Sequence, residues 1–204
     1  MQQTIAIVGI HTGIGKTLVS AVLAEAWEAD YWKPVQSGTE ERDCETVRAL
    51  VSPLPDRIHP ERFLLTTPVS PHEAAKIDNK TFGLDDFVIP ITARTLLIET
   101  AGGVMSPMTQ DKTMADFAAH FRLPVVLVSQ NYLGSINHTL SAIESLRVRG
   151  ISILGLIMSG HPNPASELFI EQYSGCSIIG RVPWMENPNP ESVKAAAAGI
   201  GRPV

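Results

Sequence analysis

Gly9-Ile10-His11-Thr12-Gly13-Ile14-Gly15-Lys16-Thr17 is the stretch on which the fold of this 204-residue chain turns. It follows Thr4–Gly9, a short apolar run that reads as a buried strand, and it opens the amphipathic stretch Lys16–Ala29. A glycine-rich strand-to-helix turn ending in Gly-Lys-Thr is the pattern of a phosphate-binding P-loop. Backbone N–H groups around Gly13, Ile14 and Gly15 would face the phosphate oxygens, and the helix N-terminus adds a favourable dipole. Lys16 is placed to reach the β and γ phosphates of ATP, and the Thr17 hydroxyl to coordinate Mg²⁺. Five residues rather than four separate Gly9 from Gly15, and Ile10 stands at the usual first-glycine position. The competing reading is a plain turn that needs glycine, for which Gly-Lys-Thr at a helix start is a poor choice.

Outward from this loop, short apolar runs alternate with amphipathic stretches. Strands are expected at Thr4–Gly9, Tyr31–Val35, Arg94–Glu99, Pro124–Ser129, Ile151–Ser159 and Ser177–Val182. Helices are expected at Lys16–Ala29, Asp43–Leu50, Thr113–His120, Ser135–Arg149 and Pro164–Tyr173. The helix at Ser135 starts on a capping residue and closes on Arg147-Val148-Arg149-Gly150, basic residues and a glycine stop. Nearly unbroken Val, Ile and Leu in the strands suits burial on both faces. The pattern predicts an α/β fold, a mostly parallel sheet with helices on both faces in three layers, as one domain over residues 1–204. The proline-rich segment 51–80 shows no sustained period and reads as a long excursion over the sheet. The tail Asn187–Val204, with its prolines and Ala-rich turn, reads as a flap over a site or a frayed end.

Composition narrows the function. Sixteen Lys and Arg stand against 21 Asp and Glu, a formal charge of −5, with no basic cluster, which argues against nucleic acid as a partner. No apolar run is long enough to span a membrane. The start Met1-Gln2-Gln3 carries no targeting pattern. Cys44 and Cys176 lack metal-ligand spacing and read as reduced thiols of a cytoplasmic protein. His59, His120 and His161 read as surface or loop residues, and His72 and His138 as structural ones.

Two further motifs carry charge to the expected phosphate site. Leu96-Leu97-Ile98-Glu99 is an apolar run that delivers an acid to the carboxyl edge of the sheet, where ligands of open α/β sheets gather. Beside a P-loop, Glu99 suits Mg²⁺; the competing reading is an acid at a solvated strand end. In Lys33-Pro34-Val35-Gln36-Ser37-Gly38, Pro34 keeps Lys33 extended. Its ammonium can then project toward the phosphates and hold a second anion, although a surface lysine is the ordinary alternative.

Taken in order, these motifs resemble the dethiobiotin synthetases. The matching stretches are Thr12 with Gly15-Lys16-Thr17, Lys33-Pro34-Val35-Gln36-Ser37-Gly38, Ser70-Pro71-His72, Glu99 with Ala101-Gly102-Gly103, and Leu133-Gly134-Ser135-Ile136-Asn137-His138. Val182-Pro183-Trp184 with Glu186-Asn187-Pro188 extends the match, which covers nearly the whole chain. The resemblance implies ATP- and Mg²⁺-dependent carboxylation of 7,8-diaminononanoate with CO₂. The carbamate is phosphorylated to a mixed anhydride, and the second amine then closes the ring, releasing ADP and phosphate. It implies Lys16, Lys33 and Thr12 as catalytic groups, with Thr12, Lys33, Ser37 and Gly102 on the substrate. Thr17, Asp43 and Glu99 would hold the metal, Gly102 would also touch the nucleotide, and Ser159, Pro183 and Trp184 would frame the base. The N–H groups of Ser135, Ile136 and Asn137 would take the substrate's distant carboxylate from a partner subunit, which implies a homodimer with its site at the interface.

The chain also departs from the family pattern at Ile10-His11, Gly13, Thr100 and Ser159, which leaves the choice of nucleotide base open. Two rival readings share the fold expectation: a P-loop ATPase switch, which would carry an extra lysine where His11 stands, and a nucleotide-binding regulator without catalysis. A cobyrinate-type amide synthetase would need a glutaminase domain for which the chain leaves no room.

Overall fold

The computed structural model describes residues 3–202. Strand β1 (Thr4–Gly9) leads through the glycine loop into α1 (Lys16–Trp27), then β2 (Asp30–Trp32), β3 (Val35–Ser37) and α2 (Asp43–Leu50). Two short strands, β4 (Ile58–His59) and β5 (Phe63–Leu65), and helix α3 (Pro71–Ile77) follow. The second half alternates regularly: β6 (Leu96–Glu99), α4 (Met114–His120), β7 (Val125–Gln130), α5 (Ser135–Arg147), β8 (Ile153–Ser159), α6 (Pro164–Ser174), β9 (Ile178–Val182) and α7 (Pro190–Ala197).

The main sheet has seven strands in the order β4-β2-β6-β1-β7-β8-β9, and every pairing is parallel. Successive β-strand side chains point to opposite faces, so one strand feeds two cores. Ile5 and Ile7 of β1 join α1, α2 and α7 on one face, whereas Ala6 and Val8 join α3, α4 and α5 on the other. The expected three layers are present.

The connection from β1 runs to β2 on one side, and that from β6 runs past β1 to β7 on the other. Loops leaving neighbouring strand ends in opposite directions open a crevice at the carboxyl edge. The glycine loop and Glu99 both lie at that edge, because Ile7 of β1 is in register with Glu99 of β6.

Where element bounds differ from expectation, local chemistry explains the difference. The strand expected over Tyr31–Val35 splits at Lys33-Pro34, because Pro34 has no N–H to continue the ladder. Beyond the break β3 pairs with β5 in a separate two-stranded sheet, and the Pro34 carbonyl accepts from the amides of Arg62 and Phe63, both at 3.0 Å. Ser135 is the first residue of α5 rather than its cap. The cap position is Gly134, at φ +98, with no side-chain hydrogen bond. Segment 51–80 is not a bare excursion, since it contains β4, β5 and α3.

The tail is neither flap nor fray over its described part. Asn189 caps α7 by accepting from the amide of Ser192 at 3.0 Å, and Val193, Ala197 and Ile200 are buried in the α1 face of the core. Pro203 and Val204 lie outside the described residues. Among the described residues no helix is long and apolar enough to cross a membrane, and Cys44 and Cys176 are free and buried.

Candidate active site

The glycine loop is shaped by two left-handed residues, Gly13 at φ +75 and Gly15 at φ +83, a conformation that any Cβ would strain. Ile14 between them is buried in the core and pins the loop from below. Gly15 caps α1 without a side-chain hydrogen bond, so no side chain competes for the helix N-terminus where an anion would sit. Gly9 is needed for close approach. A Cβ there would lie 3.0 Å from Lys16 Cδ and 3.1 Å from Ile14 Cδ1.

A cavity of about 640 Å³ opens in front of this loop. It brings together Thr12, Gly13, Gly15, Lys16, Thr17, Lys33, Ser37, Asp43, Glu99 and Gly102, all singled out from sequence. Lys16 is 7% exposed, Lys33 5% and Glu99 1%, so neither the solvated-acid nor the surface-lysine alternative describes these side chains. The Thr17 hydroxyl lies 2.9 Å from Asp43 Oδ1 and 3.0 Å from Glu99 Oε1. Lys33 Nζ lies between the same two acids, 2.5 Å from Asp43 Oδ2 and 3.2 Å from Glu99 Oε1. Two carboxylates and a hydroxyl thus converge around a buried cation. Hard oxygen donors in this arrangement suit Mg²⁺.

The two lysines differ in their surroundings. Burial lowers the Lys16 pKa to about 8, with Glu99 pulling the other way. Burial also opposes charge on Lys33, but the adjacent Glu99 and Asp43 outweigh it and raise its pKa above the ordinary lysine value. The two acids beside Lys33 favour its charged form, while burial makes Lys16 easier to deprotonate than an ordinary lysine, with its Nζ 3.4 Å from the His11 carbonyl. Ser37 Oγ, also at the cavity, is buried with no hydrogen-bond partner, a hydroxyl free to bind a ligand.

The turn after β6 closes the cavity from the far side. Val104 N donates to the Gly9 carbonyl at 2.8 Å, and a Cβ on Gly103 would meet the Ile10 carbonyl at 3.2 Å. Thr100, which departs from the family pattern, donates its hydroxyl to the Ile7 carbonyl at 3.1 Å and so ties this turn to β1.

Other expected site residues do not reach the cavity. Ser159 packs behind the loop, its Oγ 2.9 Å from where a Gly15 Cβ would stand. Pro183 and Trp184 follow β9, and the exposed Trp184 ring stacks on His161 with centroids 6.2 Å apart. Ser135, Ile136 and Asn137 start α5; Ile136 and Asn137 line a separate cavity of about 730 Å³ with Asn131 and His161. Of the other histidines, His59 lies beside Asp30, His72 pairs with Ser70 Oγ at 3.0 Å, His120 faces Asp85 and His138 pairs with Tyr132 at 2.7 Å.

Three residues that hold the site had no role legible in the sequence, although Gln36 lies within a matched stretch. Tyr31, fully buried on β2, donates its hydroxyl to Glu99 Oε2 at 2.9 Å. Gln36 accepts from the Asp43 amide at 3.2 Å, and Glu61 grips both neighbours of Asp43. Tyr31 looks like any strand aromatic until β2 is known to lie beside β6.

A family model described as an AAA domain matches residues 3–192. The chain is 41% identical over 198 residues to the ATP-dependent dethiobiotin synthetase BioD of Paramagnetospirillum magneticum, covering 97% of this chain and 94% of that one. It is 42% identical over 204 residues to the enzyme of the same name from Rhodopseudomonas palustris strain TIE-1, covering 100% and 96%. The chain belongs to the ATP-dependent dethiobiotin synthetase family. The chain is also 39% identical to the biotin biosynthesis bifunctional protein BioCD of Bordetella avium, over 92% of this chain and 41% of that one.

Among solved structures, a ParA family ATPase from Chlorobium tepidum has a TM-score of 0.60 at 14% identity, covering 97% of this chain and 91% of that one. The MinC:MinD complex of Aquifex aeolicus has a TM-score of 0.54 at 12% identity, covering 96% and 94%. At such identities the likeness shows the fold alone. The fold is thus shared with a ParA family ATPase, and it is the sequence relationship that gives this chain its family.

Proposed function

We propose that this dethiobiotin synthetase closes the ureido ring of dethiobiotin from 7,8-diaminononanoate, CO₂ and ATP, as one domain acting in a homodimer. The observation that carries the reading is the pair of buried lysines at one cavity, Lys16 on the phosphate loop and Lys33 across from it. A carbamate and a triphosphate are both anions and repel each other. Positioning and charge neutralisation are what such a reaction requires of a protein.

Each group has a role in that scheme. The backbone of Gly13, Ile14 and Gly15 cradles the phosphates, with Lys16 on the γ-phosphate and Gly102 against nucleotide and substrate. Lys33 neutralises the carbamate, and the Thr12 and Ser37 hydroxyls orient the reacting amine end. The carbamate oxygen attacks the γ-phosphorus and ADP leaves. The second amine then attacks the carbonyl carbon, phosphate leaves, and the nitrogen gives up its proton. Thr17, Asp43 and Glu99 would hold Mg²⁺, which when bound offsets phosphate charge. Ser159, Pro183 and Trp184 would flank the base on the β8–β9 side, opposite Glu99 on β6. Ser135, Ile136 and Asn137 lie outside the main cavity, so their binding of the substrate carboxylate calls for a second copy.

Phosphate release from purified protein given ATP, Mg²⁺ and bicarbonate tests this reading. Release that requires the diamine supports it. Release without diamine would instead indicate an ATPase switch, and none under any condition a regulator.

A further inference from the structure

We infer that Glu61 is a positioning residue that aims Asp43 into the site, an inference that rests on the reading of Asp43 as a metal ligand. Asp43 opens α2, yet that helix start does not itself orient the side chain, since the preceding Arg42 makes no capping bond. Residues 39–41 before it are exposed. Orientation comes from outside the helix.

Glu61 supplies it. Its side chain is 3% exposed and receives both neighbours of Asp43. Arg42 Nε donates to Oε1 at 3.0 Å while Nη2 donates to Oε2, a bidentate fork, and Cys44 Sγ donates to Oε1 at 2.7 Å. The residue between them is tied by its own amide to Gln36 Oε1 at 3.2 Å. With both flanks held by one carboxylate, the Asp43 side chain is left facing Lys33 and Thr17.

The platform under Glu61 is itself fixed to the Lys33 segment. Trp32 Nε1 donates to the Pro60 carbonyl at 3.0 Å, and Arg62 N to the Pro34 carbonyl at 3.0 Å. The same strand break that presents Lys33 therefore carries the anchor that presents Asp43. An exposed ion pair would contribute little, but a buried, fully engaged carboxylate leaves its donors unpaired when removed.

Mn²⁺ binding followed by electron paramagnetic resonance, with ADP present and no turnover, tests the inference on Glu61→Gln, Cys44→Ser, Cys44→Ala and, as control, Asp43→Asn. Glu61→Gln is expected to weaken Mn²⁺ binding about 10-fold, the scale of support lost behind a ligand, and to raise half-saturating Mg²⁺ in turnover equally. The KM for diamine should stay unchanged. Cys44→Ser keeps a donor and should bind Mn²⁺ as wild type does, while Cys44→Ala should be weaker. A folded Glu61→Gln protein with wild-type Mn²⁺ affinity, beside a weakened Asp43→Asn, overturns the inference and leaves the metal reading standing. An Asp43→Asn protein that binds Mn²⁺ normally overturns the metal reading itself. Should Glu61→Gln fail to fold, equal affinities in the two Cys44 variants beside a weakened Asp43→Asn overturn the inference.

Discussion

Lys16 and Lys33 share a cavity and a side chain, and their environments push them apart. Lys16 loses solvent without a close carboxylate, and its pKa falls to about 8; Lys33 loses solvent between two acids and stays charged. Nucleotide phosphates favour the protonated Lys16, so deprotonating the free enzyme must weaken binding. The sign follows: affinity for ADP is level below the Lys16 pKa and declines as pH rises through it, by up to about tenfold for each further unit. Calorimetric titration across this range checks it, and a Lys16→Met variant should show weak binding with no such step.

Lys33→Gln would leave Asp43 and Glu99 side by side without a cation, and breaking a buried pair in this way costs about 3 kcal/mol. The variant should melt lower than wild type in the absence of metal, and Mg²⁺ should raise its Tm more than that of wild type. Turnover should fall about 100-fold or more, with nucleotide affinity within about threefold of wild type. Equal losses of both would place Lys33 in the nucleotide site.

Elements were legible wherever local pattern and packing agree. The glycine loop, β7 and α2 were readable because strand period, helix period and turn chemistry point the same way in each. The split of β2 was foreshadowed by Pro34, but its consequence, a separate β3–β5 pair, depends on a strand far along the chain. Helix α7 was missed because eight residues make a marginal helix alone, and what stabilises it is docking on α1. Trp27 Nε1 donates to the Gly201 carbonyl at 3.0 Å, which fastens the end of this segment. Val193→Ala, at a fully buried contact of α7, should therefore cost about 1–3 kcal/mol, each kcal/mol lowering Tm by about 2–4 °C. Thermal melts check this, and an unchanged Tm would mean that α7 is only loosely attached.

At the scale of the molecule, the order β4-β2-β6-β1-β7-β8-β9 converts a linear string of motifs into one site. Residues 12, 33 and 99 are far apart in sequence, and the parallel register of β1, β2 and β6 brings the strand ends beside them to a common edge, where the start of α2 adds Asp43. The residues themselves were legible because charged and glycine positions interrupt apolar runs. Their supports, Tyr31, Gln36 and Glu61, were not, since their roles exist only once β2, β3 and the segment after β4 are adjacent. The α5 start remains outside the cavity within one chain, which is why the account calls for a second copy. The most direct test is a crystal structure with a non-hydrolysable ATP analogue, Mg²⁺, bicarbonate and diamine. The account predicts the γ-phosphate at the Gly13–Thr17 loop, with Lys16 and Lys33 each within ion-pair distance of one or both anions. A triphosphate bound elsewhere, or a Lys33 that touches neither anion, would contradict it.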